Sequence, residues 1–461
     1  MAASQTGQQV SEFHGLAWVR DLWTSEPQWT VDLDEDAIKR TMQHVLRLSG
    51  PCRVSFLAQG QCNKLYSIEN PPRHFITRVT LPIEPTWKTL SEVATTEWVR
   101  DNTSLPVPEI LGFHATCSNP IGFEWIAMTK MPGRPLHEVW GQISFEAKKG
   151  VIKRLAEFAV ETFDQQFFRI GSIFPEERPA TPYLSPPPEP EPDDDDGSPG
   201  PGALSEPIME DRRGEPQIGG VISYDFNWDD RIDHNVCRGP FQNSREWMAA
   251  RLKATEDSAT ERLYRALNRD DEESEALLDD FDCTFNIIDQ LKRRINVFFP
   301  AAGPEPEATM LLHDKMTRSN ILLRDNGSLS AVVDWECISV VPLWMGCRYP
   351  TFLQGRDRYI GPSRENYRHD AHGNVDALYW EHLDEFEMTA LRQCFMHTVS
   401  MLKPEWRRIH ETSVAKRDFD LAVKYCDDSI LKHEVERWLN EMDMGMQGMQ
   451  GLEERLYKYF L

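Results

Sequence analysis

Residues 311–336, LLHDKMTRSNILLRDNGSLSAVVDWE, decide the fold of this chain. The apolar run ILL is followed by the strong turn sequence DNG and by the returning apolar run LSAVV, which together predict a β-hairpin. Antiparallel pairing would bring Asn320 and Asp334 to within about 5–8 Å of each other at the open end of that hairpin. An amide oxygen beside a carboxylate suits Mg²⁺, although an Asp that ends a strand is also a common turn former.

The composition limits the classes of protein that the remaining sequence can encode. The chain has 461 residues, of which 40% are hydrophobic, enough to bury a sizeable core and to exclude a fully disordered protein. Fifty Lys and Arg against 74 Asp and Glu give a net charge of -24, which repels nucleic acid and anionic membrane surfaces and would suit a cationic ligand. No apolar run approaches the ~20 residues of a membrane span, and no secretory signal opens the sequence. Nine scattered cysteines fit a reduced compartment, so we expect a cytoplasmic protein.

The segment 175–217 differs from the rest of the chain. It is rich in Pro, Gly, Ser and acidic residues and carries twelve acids against three bases. Such a segment cannot bury enough apolar surface to offset its chain entropy, so we expect a disordered acidic insert. A solvated loop and a docking site for a protein partner are both compatible with this composition.

Hydrophobic periodicity predicts an α+β protein with a small β-rich lobe followed by a larger, mainly helical lobe. We expect a helical extension over 1–50, the β-rich lobe over 51–132 and the helical lobe over 133–461. Thr89 lies three residues before Glu92, the spacing of a helix capping box. Strands are expected near 54–57, 65–68, 75–79 and 125–128, and helices near 90–98, 156–167, 245–253, 276–297 and 376–439.

Several motifs in order resemble the aminoglycoside phosphotransferase and choline kinase-like family, a branch of the protein kinase fold. The family pattern H-x-D-L-x-x-x-N, a hairpin and I-D-W-E aligns with His313, Asn320 and Asp334-Trp335-Glu336. The segments SEVATTEWVR, NTSLPVPEILGF and SNPIGFEWIAMTKMPG are similar to the fungal branch of the family. The resemblance implies a bilobal kinase-like fold, ATP and Mg²⁺ as cofactors, and a small-molecule hydroxyl as phosphoryl acceptor.

The resemblance also assigns roles around the catalytic loop. Asp334 and Asn320 match the metal ligands. His313 matches the His of the motif, and we expect it to orient the loop rather than to act as a proton shuttle. The family places its catalytic Asp two residues after this His, where this chain has Lys315. An ammonium group cannot accept a proton unless its pKa is strongly depressed, and loss of a general base typically costs about 10²–10⁴ in rate. Asp314 is adjacent but one position out of register, and it is the candidate replacement.

The resemblance places the nucleotide-binding residues in the β-rich lobe. Arg78 matches the strand residue that holds the α- and β-phosphates, and Glu92 matches its ion-pair partner, beside the capping-box interpretation of the same residue. Gly60 is the single glycine in the loop that would cover the phosphates. Met128 lies in the segment that would contact adenine.

Two functions follow, and the sequence leaves both open. The first is an ATP- and Mg²⁺-dependent phosphotransferase that acts on a hydroxyl of a small molecule. The second is a pseudokinase, which binds nucleotide or serves as a scaffold without phosphoryl transfer, as Lys315 indicates. We expect no nucleic acid or membrane partner, whereas a protein partner would bind through the acidic insert.

Overall fold

The structure, a computed structural model, describes residues 14–20, 25–175, 217–267, 274–301, 306–370, 372–445 and 449–459. The chain divides into two units. The first unit holds the described residues up to Leu90 together with Ile110–Lys130. The second unit holds Ser91–Glu109 and the described residues from Met131 onward. Among the helices of these ranges, none is long and apolar enough to cross a membrane.

A five-stranded antiparallel sheet forms the main part of the first unit. The elements in this part of the chain are β1 (Leu16–Arg20), β2 (Ser25–Trp29), α1 (Glu35–Val45), β3 (Arg53–Gln59), β4 (Asn63–Asn70), β5 (Arg73–Thr80), α2 (Trp87–Asn102), β6 (Ile110–His114) and β7 (Glu124–Thr129). The sheet has the order β3-β4-β5-β7-β6, and α2 continues from the first unit into the second. The four strands predicted for this region are therefore confirmed, each extended by one or two residues at each end.

The N-terminal segment is not the helical extension that we expected. Strands β1 and β2 pair antiparallel, with Leu16 opposite Trp29, ahead of the single helix α1. The run Leu-Ala-Trp-Val of β1 is rich in aromatic and branched residues, which favour strands. Helix α1 begins after Asp34, whose carboxylate accepts hydrogen bonds from the backbone N–H groups of Asp36 and Ala37 at 2.9 and 3.1 Å.

The start of α2 does not use the predicted capping box. The helix begins at Trp87, so Thr89 is already inside its first turn and cannot be the N-cap residue. The carboxylate of Glu124 on β7 takes the capping role, because it accepts hydrogen bonds from the Thr86 N–H at 2.7 Å and the Thr89 hydroxyl at 2.5 Å. Burial raises the pKa of Glu124, although these hydrogen bonds and the charge of Lys88 act against that rise.

The second unit is mainly helical, as expected. Its helices are α3 (Leu136–Val139), α4 (Phe145–Asp164), α5 (Tyr224–Asn227), α6 (Ser244–Leu267), α7 (Ser274–Phe298), α8 (Leu343–Gly346), α9 (Ala377–Leu402), α10 (Pro404–Thr412), α11 (Val414–Tyr425), α12 (Lys432–Asp443) and α13 (Leu452–Leu456). Its short strands are β8 (Arg134–Pro135), β9 (Ser172–Phe174), β10 (Gln217–Gly219), β11 (Thr309–Leu312), β12 (Ile321–Leu323), β13 (Leu329–Val332) and β14 (Ser339–Pro342).

Two apolar clusters form the core of the second unit. The first surrounds the strands of the 311–336 stretch, where Ile321, Val332 and Trp335 pack against apolar residues of α4 and α9. The second joins α6, α7, α11 and α12 and contains the buried Trp438. The first cluster fixes the hairpin on two long helices, and this gives the catalytic-loop region a rigid base.

The ends of the acidic insert are held side by side. Strands β9 and β10 pair antiparallel, with Phe174 opposite Gln217. Gln217, which we had placed at the end of the insert, is therefore part of a strand. Residues 176–216 lie outside the described residues, and their expected disorder stays a prediction.

Candidate active site

The predicted hairpin is present at the centre of the candidate site. Strands β12 and β13 pair antiparallel, with Ile321 opposite Val332. In the turn, the Gly327 N–H donates to the Arg324 carbonyl at 2.8 Å, and Arg324 N–H donates to the Ser328 carbonyl at 2.9 Å. Gly327 has φ of 78°, a left-handed conformation that glycine adopts without steric cost.

The hairpin brings Asn320 and Asp334 together at its open end. The Asn320 Nδ2 lies 3.5 Å from Asp334 Oδ2 and donates to the Lys315 carbonyl at 2.9 Å. Because Nδ2 makes these contacts, Oδ1 is the Asn320 atom left for a cation; among the described residues it accepts no hydrogen bond. Asp334 has φ of 67°, a conformation in which a non-glycine residue is uncommon and often functional. Together the two side chains offer oxygen ligands of the type that Mg²⁺ prefers.

His313 is a buried, neutral residue beneath the catalytic loop. Its Nε2 lies 3.3 Å from the Val333 carbonyl oxygen, and its ring packs edge-on against Trp335 at 4.6 Å between centroids. Burial lowers the pKa of His313, and this exceeds the opposing effect of Asp334. A neutral imidazole held by these two contacts suits the orienting role that we predicted, since it supports the loop without exchanging protons.

Lys315 is fixed by an aromatic ring that the sequence did not indicate. Its Nζ donates to the Tyr224 hydroxyl at 3.0 Å and lies 4.1 Å from the centre of the Tyr224 ring. The Tyr224 hydroxyl in turn donates to Glu336 Oε1 at 3.3 Å. Burial alone would lower the pKa of Lys315, but Cys337, Glu336 and the other acidic groups around it raise the pKa above its usual value. Lys315 is therefore an ammonium ion and cannot act as a general base.

Asp314 has an exposed side chain. Its backbone carbonyl accepts a hydrogen bond from the Thr351 hydroxyl. Its side chain lines a pocket of ≈ 380 Å³ in the second unit. Asp314 is thus a carboxylate of the catalytic loop that a small molecule in this pocket can reach.

The next basic residue of the loop, Arg318, has a structural role. Its guanidinium pairs with Asp384 of α9 at 2.8 Å and stacks over Trp140 at 4.2 Å from the ring centre. The Trp140 indole N–H also donates to Asp384, at 2.6 Å. These contacts connect the loop to α9, and the Arg318 guanidinium is paired within the protein.

The candidate nucleotide residues of the first unit lie on neighbouring strands. Arg78 pairs with Ile126 across β5 and β7, and Met128 pairs with Ile76, so Arg78 and Met128 share one face of the sheet. Gly60 lies in the turn between β3 and β4, where its N–H donates to the Asn63 carbonyl at 2.8 Å. Glu92 is a buried residue of α2 and belongs to the second unit, so its pairing with Arg78 stays a prediction.

A second group of side chains with possible metal-ligand atoms lies on α7 and α12. Atoms of Cys283, His433 and Glu436 lie within 4.8 Å of one another on α7 and α12. Burial and the charge of Glu436 raise the pKa of the Cys283 thiol to about 11, so the thiol is protonated at neutral pH. A protonated thiol is a weak metal ligand, and the Asn320–Asp334 pair is the better candidate for a divalent cation.

Sequence reasoning missed Tyr224 and the capping role of Glu124. Tyr224 is 91 residues before Lys315 and follows the acidic insert, so no local pattern linked the two. Glu336 belongs to the quoted motif, but its contact with Tyr224 depends on the tertiary fold.

A family model described as phosphotransferase enzyme family matches residues 53–345 of this chain. The match covers more than half of the chain, and the chain therefore belongs to this family. The expected α+β, kinase-like fold with a β-rich N-terminal region and a helical C-terminal region is confirmed by this membership and by the observed elements. The protein is thus a kinase-fold phosphotransferase family member.

Two curated relatives are subtelomeric hrmA-associated cluster proteins from two strains of Aspergillus fumigatus, each 24% identical over 344 residues. The matched region is 65% of this chain and 60% of each relative, so the chain spans about three fifths of their length. Among solved structures, aminoglycoside phosphotransferase APH(4)-Ia is 12% identical, with 89% of this chain and 98% of that chain covered and a TM-score of 0.40. ADP-bound APH(2'')-Ib is 11% identical, with 89% and 99% covered and a TM-score of 0.42.

Proposed function

We propose that this protein transfers the γ-phosphoryl group of ATP to a hydroxyl of a small molecule, with Mg²⁺ held by Asp334 and Asn320. The single observation that carries the proposal is the pairing of these side chains at 3.5 Å at the end of the β12–β13 hairpin. Membership of the phosphotransferase family supports it. Mg²⁺, when bound, would offset the negative charge that phosphoryl transfer concentrates on the phosphates.

Residues of the β-rich lobe would hold the nucleotide. Arg78 supplies a forked cation suited to phosphate oxygens, with Glu92 as the partner that orients it. Gly60 allows close approach of the backbone to phosphate, and Met128 lies on the same face of the sheet as Arg78 and would contact the adenine. Similar enzymes of known structure contain AMP-PNP or ADP, which agrees with nucleotide binding.

The acceptor hydroxyl would be activated by Asp314 rather than by Lys315. In the reaction the hydroxyl oxygen bonds to the γ-phosphorus, the bond between that phosphorus and the ADP oxygen breaks, and the hydroxyl proton passes to the Asp314 carboxylate. The exposed Asp314 side chain lines a pocket that can admit the acceptor. Lys315 stays protonated against Tyr224 and orders the loop beside the reacting groups.

Calorimetric titration of MgATP into the full chain tests this proposal. We expect wild-type binding to require Mg²⁺ and Asp334→Asn to weaken it at least tenfold, about 1.4 kcal/mol. Asn tolerates the left-handed backbone of Asp334, so this variant removes the charge without adding strain. The matched control is Asp325→Asn in the exposed turn of the same hairpin. Equal affinities for the two variants, or no wild-type binding at millimolar ATP, would contradict the proposal.

The second candidate function is a pseudokinase that binds nucleotide without transferring phosphate. The observation that favours it is the protonated Lys315 at the position of the family's catalytic Asp, fixed by Tyr224. The two functions share the nucleotide site and differ only in turnover. Release of ADP with a panel of hydroxylated acceptors therefore distinguishes them.

A further inference from the structure

The pocket beside Asp314 has an unusual distribution of charge. It lies in the second unit and has a volume of ≈ 380 Å³, within the range of pockets that bind small molecules. Arg348, Arg417 and Lys424 line it together with only two acids, Asp314 and Glu453. The pocket is therefore basic, although the chain as a whole carries a net charge of -24.

Arg417 is the buried cation of this pocket. Its side chain is only 6% exposed, and its one hydrogen bond among the described residues joins Nη1 to the His410 carbonyl oxygen at 2.9 Å. It forms no ion pair within the described part of the chain. Burial lowers the pKa of Arg417, and the charge of Arg348 adds to that effect against the opposing charges of Glu453 and Asp418. A buried guanidinium next to a second cation is costly unless an anion offsets both charges.

No acidic residue forms an ion pair with these cations in the part of the chain that the structure describes, although the charges of Glu453 and Asp418 act on Arg417. Arg348 and Lys424 form no ion pair within the ranges that the structure describes. Glu453 accepts a hydrogen bond from the Tyr457 hydroxyl at 3.0 Å. Asp418, which lies outside the pocket lining, accepts the Glu453 backbone N–H at 2.9 Å.

A neighbouring pocket contains arginines that are mostly paired. This pocket of ≈ 770 Å³ also contains arginines, including Arg392 and Arg407. Arg392 pairs with Asp357 at 2.9 Å, and Arg407 pairs with Glu411 at 2.7 Å. These two arginines are therefore paired within the protein, whereas Arg356, the third arginine of this pocket, forms no ion pair among the described residues.

We infer that the pocket beside Asp314 binds the carboxylate or phosphate group of a hydroxylated, anionic acceptor. Arg348, Arg417 and Lys424 would bind the anionic group, and the Asp314 carboxylate would then face a hydroxyl of the same molecule. The inference rests on the proposed phosphotransferase function for the use of that hydroxyl. Binding of the anion itself does not depend on nucleotide or on phosphoryl transfer.

The test is calorimetry on the full chain without nucleotide. The probes are gluconate as a hydroxylated carboxylate, glucose 6-phosphate as a hydroxylated phosphate, and glucose as the neutral control. We expect one or both anions to bind and glucose not to bind, with affinity falling as salt is added. Binding of gluconate alone, glucose 6-phosphate alone or both supports the inference and identifies the anionic group. Binding of neither anion above the level of glucose overturns it.

Two variants assign the binding to the pocket. Arg348→Met replaces a half-buried cation and should weaken anion binding at least tenfold, whereas Arg408→Met on the exposed face of α10 should not. Equal effects of these two variants would overturn the inference. The same variants distinguish the anion site from the proposed nucleotide site. Asp334→Asn should lose MgATP affinity and keep anion affinity, whereas Arg348→Met should lose anion affinity and keep MgATP affinity.

Discussion

Lys315 is the residue at which the chemistry of this site departs from that of its family. A carboxylate at this position would accept the acceptor proton, but the Lys315 ammonium donates to Tyr224 and is stabilised by the ring and by nearby acids. The positive charge of Lys315 is thus part of a hydrogen-bond network that also contains Tyr224 and Glu336. In the proposed reaction the base must be another residue, and Asp314 is the carboxylate of the loop that lines the pocket.

We predict that Asp314→Asn lowers the rate of phosphoryl transfer by about 10²–10⁴ while leaving MgATP affinity unchanged. The physical reason is the loss of the proton acceptor, since Asn keeps the size and polarity of the side chain. Turnover is measured as ADP release with the acceptor panel, and the matched control is Asp325→Asn. Unchanged turnover in Asp314→Asn would show that another group accepts the proton.

A comparison of Lys315→Asp with Lys315→Met shows whether the wild-type protein is a weak enzyme or an inactive one. If the wild type is inactive and only Lys315→Asp releases ADP, the protein is a pseudokinase whose lost base has been restored. If the wild type already turns over and Lys315→Asp is no faster, the pseudokinase alternative fails. Lys315→Met controls for loss of the contact with Tyr224.

At the scale of elements, the candidate site depends on how β12 packs between its two neighbours. Strand β12 pairs with β13 on one side and with the two-residue strand β8 on the other. Gly133 precedes β8 with φ of 109°. A Cβ at this position would lie 2.2 Å from the Leu323 carbonyl oxygen, which is backbone and cannot rotate away. The close approach of β8 to β12 therefore requires glycine.

We predict that Gly133→Ala lowers the free energy of unfolding by at least about 2 kcal/mol, because the strained φ and the backbone clash act together. Gly141→Ala is the matched control, since its Cβ would meet nothing within 4 Å and its φ is not left-handed. Urea denaturation of both variants measures the effect. A loss in Gly133→Ala no greater than in the control would mean that β8 can move away from β12.

The elements also show which information the sequence contained. The turn DNG and its flanking apolar runs specify the hairpin locally, so the adjacency of Asn320 and Asp334 was predictable. The start of α2 was not predictable from local sequence, because the residue that caps it is Glu124, 35 positions away from Thr89. Tyr224 was missed for the same reason, since its contact with Lys315 depends on tertiary packing.

At the scale of the whole molecule, net charge is a poor guide to the charge of a site. The acidic composition would suit a cationic ligand, but the pocket beside Asp314 contains more bases than acids. Many acidic residues lie in the segment 175–217, remote in sequence from α11 and α13, which line the pocket. Local packing therefore sets the electrostatics that a ligand meets.

His410 of α10 contributes to the pH dependence of the stability of the whole molecule. Its Nδ1 lies 2.9 Å from the Cys347 carbonyl oxygen, and its ring stacks on Trp406 at 5.6 Å between centroids. Burial lowers the pKa of His410 to about 4, and the charges of Arg417 and Arg407 act in the same direction against Glu411. In the unfolded chain a histidine has a pKa of about 6.5.

The unfolded state therefore binds more protons than the folded state between these two pKa values, and stability is lost as the pH falls through that range. We predict a loss of about 2 kcal/mol from His410 between pH 7 and pH 5. His410→Gln keeps a donor for the Cys347 carbonyl and removes the titrating group. Between pH 7 and pH 5 the free energy of unfolding of this variant should therefore fall by about 2 kcal/mol less than that of the wild type. Urea denaturation followed by tryptophan fluorescence measures both, with the exposed His372→Gln as control. Equal losses in the wild type and in His410→Gln would show that His410 takes up its proton as readily in the folded state as in the unfolded chain.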